Sequence, residues 1–227
     1  MNVWQDLLDV FLKDRCPLCQ RLANHEFCPY CTRRLQTCRL QTHQHYSPGP
    51  PPLVAWGIYG SDLKRALAAL KYENQPKVAH SLGRWLAETW LATPMGKRVS
   101  DAPGRYPLVV VPIPLHESKR RQRGYNQAEL LAEAFCRRTR LPLQRNGLER
   151  IRATEAQFGL SPTERDRNVK NAFRVHPKLV AGKRKRLILL LDDIYTTGAT
   201  VRAAAQTLRA EKIAVYGTAA VAKAFSN

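Results

Sequence analysis

The 227-residue chain is short of acid. Only 18 Asp and Glu stand against 37 Lys and Arg, a formal net charge of +19. An excess of that size points to an anionic partner, nucleic acid foremost, although a well-solvated basic face would carry the same charge. Long apolar runs are missing too. No stretch approaches the ~20 uninterrupted apolar residues that a membrane-spanning helix needs, which excludes that class. Met1–Phe11 is also unlike a secretory leader, because Asp6 and Asp9 interrupt it. Trp4, Leu7, Leu8 and Phe11 follow helical spacing instead, so the reading here is a short amphipathic helix and a cytoplasmic protein. Internal repeats and low-complexity tracts are absent.

What is present divides into three regions. Residues 1–45 hold five of the six cysteines, at 16, 19, 28, 31 and 38. Residues 46–52, YSPGPPP, read as a stiff proline-rich connector. Residues 53–227 have the composition of an α/β domain. Cys16-Pro-Leu-Cys19 and Cys28-Pro-Tyr-Cys31 are two C-x2-C units separated by eight residues. Each such knuckle supplies two thiolates, and four satisfy tetrahedral zinc with no open position, which predicts a small structural zinc ribbon with an all-cysteine ligand set. His25, His43 and His45 read as surface histidines, and Cys136 as an ordinary helix residue.

Along the α/β region, Leu53–Tyr59 reads as a strand, followed by a helix capped by Ser61 with Leu63, Ala66, Leu67 and Leu70 inward. Leu82, Trp85, Leu86 and Trp90 form a second helical face. Leu108–Ile113 and Leu187–Leu191 are continuous apolar runs, as expected of parallel strands buried on both sides. A helix is expected over 125–138, strands over Asn171–Val175 and Ile213–Val221, and a helix carrying Val201, Ala204, Ala205 and Leu208. Strands alternating with helices imply a parallel sheet flanked by helices, with ligands bound beyond the carboxyl ends of its strands.

The segment Leu187–Thr200, LILLLDDIYTTGAT, has a specific order: buried strand, two acids, then a Thr-Gly turn entering a helix. Carboxylates at Asp192 and Asp193 can accept from sugar hydroxyls and help hold hydrated magnesium. The turn Thr196–Thr200 offers amides and hydroxyls at a helix amino terminus, and Gly198 allows close approach of a phosphate. This order resembles the type I phosphoribosyltransferases. The resemblance implies that Asp192 and Asp193 bind the ribose hydroxyls of phosphoribosyl diphosphate (PRPP) with Mg2+. Thr196, Thr197, Gly198, Ala199 and Thr200 would hold its 5′-phosphate.

A second constellation, Val111–Gln127 (VPIPLHESKRRQRGYNQ), runs from a buried strand into a basic turn. Arg120, Arg121 and Arg123 beside Gly124 suit a diphosphate, and the same stretch alone would read equally as a solvated loop. Together with Arg152–Phe173 (RATEAQFGLSPTERDRNVKNAF) and the cysteine pairs, these motifs resemble the ComF family over nearly the whole chain. The resemblance implies a zinc ribbon before a phosphoribosyltransferase-like domain, a flexible loop around 152–170, and DNA handling during natural transformation. Residues 115–186 carry 19 basic and seven acidic residues, more than one PRPP can occupy. Lys183, Arg184, Lys185 and Arg186 are therefore candidates for single-stranded DNA. Other DNA-uptake or recombination proteins are implied as further partners. An active transferase, passing ribose 5-phosphate to a nitrogenous base or amine, remains the alternative.

Overall fold

The computed structural model describes residues 14–101, 106–153, 162–180 and 185–225. The helix expected over Met1–Phe11, the candidates Lys183 and Arg184, and residues 154–161 of the expected loop lie outside them. The elements in chain order begin with β1 (Asp14–Arg15), β2 (Leu22–Ala23), α1 (Pro29–Gln36), β3 (Tyr46–Ser47), β4 (Leu53–Ile58), α2 (Ser61–Tyr72), α3 (Val78–Ala92) and α4 (Pro94–Asp101). They continue with β5 (Leu108–Pro112), α5 (Glu117–Arg123), α6 (Gln127–Thr139), β6 (Leu148–Arg150), α7 (Pro162–Val169), β7 (Phe173–Val175), α8 (Pro177–Val180), β8 (Leu187–Tyr195), α9 (Ala199–Ala210) and β9 (Ala214–Lys223).

The central sheet has the order β3-β4-β9-β8-β5. Its four longer strands are mutually parallel, and the short β3 adds antiparallel to β4. The α/β architecture expected from the sequence is therefore present. Both faces are covered, which is why β5 and β8 are apolar without alternation. Side chains of a strand point alternately to its two faces. Leu189 and Leu191 of β8 join a core with α2, α3 and α6, whereas Ile188 and Leu190 join one with β6, β7 and α9. The pair β6–β7 is a separate antiparallel ribbon, and its second strand begins at Phe173 rather than Asn171.

The cysteine lobe shares the first of these cores. Phe27 stacks on Trp85 at 6.0 Å and Trp85 on Trp56 at 5.1 Å, joining the lobe to α3 and β4. Arg65 of α2 donates to the Leu18 carbonyl at 2.7 Å, and Arg34 of α1 pairs with Asp62 of α2 at 2.8 Å. Ser81 donates to Glu26 at 2.7 Å, and His80 contacts the same carboxylate. None of the described helices is long and apolar enough to cross a membrane.

Three local features differ from the sequence reading. Gly60, not Ser61, occupies the cap position of α2, and no side chain caps that helix. The basic turn after β5 is the helix α5, closed by Gly124 at φ 81°, and Asn126 caps a new helix by accepting from the Ala128 amide. The left-handed cap Gly124 ends the first helix and the Asn126 cap starts the second, so the stretch read as a turn is a helix of its own. His45 is buried rather than on the surface, its Nδ1 2.8 Å from the Ala55 carbonyl.

Candidate functional site

In register, Pro112 at the end of β5 lies opposite Leu191 of β8. Strand β8 runs on through Asp192–Tyr195, still paired to β9 but no longer to β5. The two acids therefore stand where a neighbouring strand has stopped, the crevice in which open parallel sheets bind ligands. Alternation then separates them. Asp193 follows Leu189 and Leu191 toward α2, where Lys71 Nζ lies 2.9 Å from its Oδ2. Asp192 follows Leu190 toward the β6–β7 ribbon, within electrostatic reach of Arg150.

The charges in this crevice shape one another. Asp192 is raised to about 7, by burial first and then by the Asp193 charge, against the Asp193 amide, Lys71 and Arg150. Its Oδ1 accepts from the Asp193 amide at 2.8 Å. Burial alone would lower Lys71, but Asp193 at contact and Asp192 beyond it raise it above the ordinary lysine value. Lys119 is lowered, by burial and then by Arg150 and Arg123. Three cations thus converge beside two acids, a distribution suited to a sugar carrying phosphates.

The turn after β8 forms a cradle. Gly198 adopts φ 77° and is the cap residue of α9, which no side chain caps. A Cβ at Gly198 would meet the Tyr195 hydroxyl at 2.3 Å, so the close approach requires glycine. Thr197 Oγ1 is buried with no hydrogen-bond partner, and Arg202 donates to the Thr197 carbonyl at 2.5 Å. An uncapped helix amino terminus beside an orphaned hydroxyl fits a phosphate group.

Other sequence candidates have different surroundings. Arg121 is exposed and pairs with Glu117 on the same helix, and Arg120 lies 3.8 Å from Glu129. Arg123 instead lies over the Tyr72 ring at 5.4 Å and donates to Gln127 at 2.5 Å. Tyr125 donates to the Leu70 carbonyl at 2.6 Å, and Asn126 donates to the Ile113 carbonyl at 3.1 Å. Residues 123–127 thus tie α2 and α6 to the end of β5. Lys185 is exposed and Arg186 half-buried just before β8 begins, at the opposite end of that strand from the acids.

Lys71, Lys119 and Arg150 were not singled out from the sequence. Lys71 had a signal: it continues the stripe Leu63, Leu67 at i+8, a lysine on an otherwise apolar helix face. Arg150 had none beyond sharing a face with the buried Leu148. A cavity of about 670 Å³ lies beside this region, bounded by Arg120, Asn126, Glu129, Arg145, Arg150 and Arg174 among others.

The second centre is the cysteine cluster. The four Sγ atoms of Cys16, Cys19, Cys28 and Cys31 lie within 4.8 Å of one another. A tetrahedron of Zn–S bonds of about 2.3 Å spaces its sulfurs about 3.8 Å apart, so the set can hold a metal such as zinc. Cys28 is lowered to about 7: burial opposes this, and the Cys31 amide with the Cys19, Cys31 and Cys16 sulfurs outweighs it. Burial and then the neighbouring thiols push Cys31 up. Four thiols this close cannot all ionise unless a cation neutralises them. Cys38 lies apart, 3.9 Å from the Arg34 carbonyl. Cys136 is a core residue whose thiol burial pushes up to about 12.

No protein-family model matches the chain. Among known proteins, Competence protein F of Haemophilus influenzae is 31% identical over 218 residues, covering 90% of this chain and 89% of that protein. The DNA utilization protein YhgH of Escherichia coli K12 is 32% identical over 199 residues, 86% of this chain and 78% of that one. Competence protein ComFC of Bacillus subtilis is 28% identical over 199 residues, 85% of this chain and 70% of its own. Likeness at this level, across most of each protein, decides the matter: the chain belongs to the ComF family of competence and DNA-utilisation proteins.

Proposed function

We propose that this protein binds PRPP at the carboxyl end of β8 and handles single-stranded DNA in the cytoplasm during DNA uptake. In this proposal residues 1–45 are a zinc-binding lobe, 46–52 a connector and 53–227 a phosphoribosyltransferase-like domain. The observation that carries the ligand assignment is the phosphate cradle. Thr197 Oγ1 is buried without a partner beside the left-handed Gly198 and the uncapped start of α9. Thr196–Thr200 would take the 5′-phosphate, Asp192 and Asp193 the ribose hydroxyls, and Arg123, Lys119 and Arg150 the diphosphate. Arg120, Arg121 and Gly124 would border that subsite from α5. Magnesium would accompany the diphosphate near Asp192 and lower the charge that the protein must neutralise. Lys183, Arg184, Lys185 and Arg186 would track the DNA backbone, the last two from the far end of β8. The names of the relatives, competence and DNA utilization, support the DNA role.

The test is a titration of fluorescent single-stranded DNA with the full-length, zinc-loaded protein, with and without Mg2+ and PRPP and at several salt concentrations. The expected result is saturable PRPP binding and a steep fall of DNA affinity with salt, made shallower by neutralising residues 183–186. No PRPP binding, or a flat salt response, contradicts the proposal.

The cavity of about 670 Å³ gives a second reading some support, because Arg150 belongs both to its wall and to the surroundings of Asp192. An active phosphoribosyltransferase would place a nitrogenous base or amine there. It requires pyrophosphate release that depends on an added acceptor and is abolished by Asp192→Asn with Asp193→Asn.

A further inference from the structure

Lys71 and Asp193 form a nearly buried ion pair, with side chains 16% and 6% exposed. Burying an ammonium and a carboxylate costs several kcal/mol for each ion, so such a pair needs to be held in place by its surroundings. Here it is. Leu63, Leu67 and Leu70 anchor α2 in the core, and Arg65 and Asp62 tie its first turn to the cysteine lobe. Tyr125 grips the Leu70 carbonyl next to Lys71. The pair is set by charge and distance, since Asp193 Oδ2 has no partner in hydrogen-bond geometry, and a lysine held 2.9 Å from it in the core is not solvating a surface.

The position is the one a divalent cation would need. Magnesium requires oxygen ligands at about 2.0–2.1 Å in near-octahedral array. Asp193 Oδ2 already faces an ammonium at 2.9 Å, and Asp192 Oδ1 already accepts from the Asp193 amide. Among the described residues no third Cys, His, Asp or Glu joins the two acids in a cluster able to hold a metal. The lysine halves the charge of the pair and sits against the Asp193 oxygen that a cation would have to use.

We propose that Lys71 is the resident counter-ion of the acid pair, holding on Asp193 the place that a divalent cation would take. The site then accepts a ribose 5-phosphate group without a protein-bound metal, and magnesium enters only as the partner of a diphosphate. This rests on the ribose-phosphate reading for its ligand, but the cation exclusion stands on the ion pair alone.

Two measurements on the full-length, zinc-loaded protein test it. The first is Mn2+ binding followed by electron paramagnetic resonance. Wild type and Lys71→Arg are expected to show no Mn2+ site that Asp193→Asn removes. Lys71→Gln, which removes the charge but leaves a polar side chain of similar bulk, gains one such site, and Lys71→Gln with Asp193→Asn loses it again. The second is calorimetric binding of ribose 5-phosphate in EDTA and in Mg2+. Wild type binds equally in both, within about twofold, whereas Lys71→Gln weakens about tenfold in EDTA and recovers in Mg2+. A wild-type Mn2+ site that Asp193→Asn abolishes, or no gain in Lys71→Gln, overturns the proposal. Absence of ribose 5-phosphate binding to wild type overturns the ligand reading instead, and the Mn2+ result still decides the role of Lys71.

Discussion

Replacing Asp192 by Asn is expected to stabilise the protein above neutral pH. In the folded chain this carboxyl holds its proton up to about 7, against an ordinary value of 3.8. Between those values the native state binds more protons than the unfolded state, so stability falls as pH rises through that window. Across pH 5 to 8 the full effect would be about 3 kcal/mol. The side chain is partly exposed, and solvent screening reduces the expected loss to about 1–2 kcal/mol. Asn keeps the shape and the oxygen that accepts from the Asp193 amide, but it never acquires the charge. Urea unfolding of both proteins at pH 5 and pH 8 reads the difference directly. The variant should be the more stable at both, and its advantage should grow by about 1–2 kcal/mol from pH 5 to pH 8. The gain is expected to come with lost PRPP affinity, because the destabilising charge is the one proposed to receive the ribose. Parallel pH dependence in the two proteins, or a less stable variant at pH 8, would refute the electrostatic account of the crevice.

Chelation of a metal held by the Cys16–Cys31 cluster, as proposed, or Cys28→Ser should loosen the lobe and with it the Phe27–Trp85–Trp56 stack. The expected readout is a shift of tryptophan emission with a lower unfolding midpoint, and unchanged spectra would oppose it. Gly198→Ala and Gly124→Ala form a matched pair, with φ 77° and 81°. Each should cost about 1–2 kcal/mol of backbone strain, yet only the former places its Cβ against Tyr195. PRPP affinity measured by calorimetry should therefore fall far more for Gly198→Ala than for Gly124→Ala, and equal losses would argue against the cradle. Trp85→Ala removes a buried ring shared by the lobe and the sheet and should cost about 3–5 kcal/mol in urea unfolding. A loss below about 1 kcal/mol would mean the two parts are not one core.

The strands and helices that bury a continuous surface were legible in sequence because burial leaves a periodic trace. LVVV and LILLL lie between covered faces, and Leu82, Trp85, Leu86 and Trp90 repeat at helical spacing. The acid pair and the Thr-Gly turn were legible because one local segment holds strand end, turn and helix start. The counter-ion was not. Lys71 meets Asp193 from 122 positions away in sequence, and only the sheet order brings α2 to that edge. The helical form of the basic stretch Glu117–Arg123 was not legible either, because it buries no residue and so leaves no apolar period. Likewise β3 looked like part of a connector because its two residues gain strand structure only by adding to β4. His45 looked superficial because its partner, the Ala55 carbonyl, lies on that same neighbouring strand.

The central claim is that the carboxyl end of β8 receives a ribose phosphate. Amide hydrogen exchange with and without PRPP and Mg2+, read by mass spectrometry on the zinc-loaded chain, tests it most directly. The account predicts new protection at Thr196–Thr200 and at Asp192–Asp193, lost in the Asp192→Asn, Asp193→Asn double variant. Protection confined to other segments, or none at saturating PRPP, would contradict it.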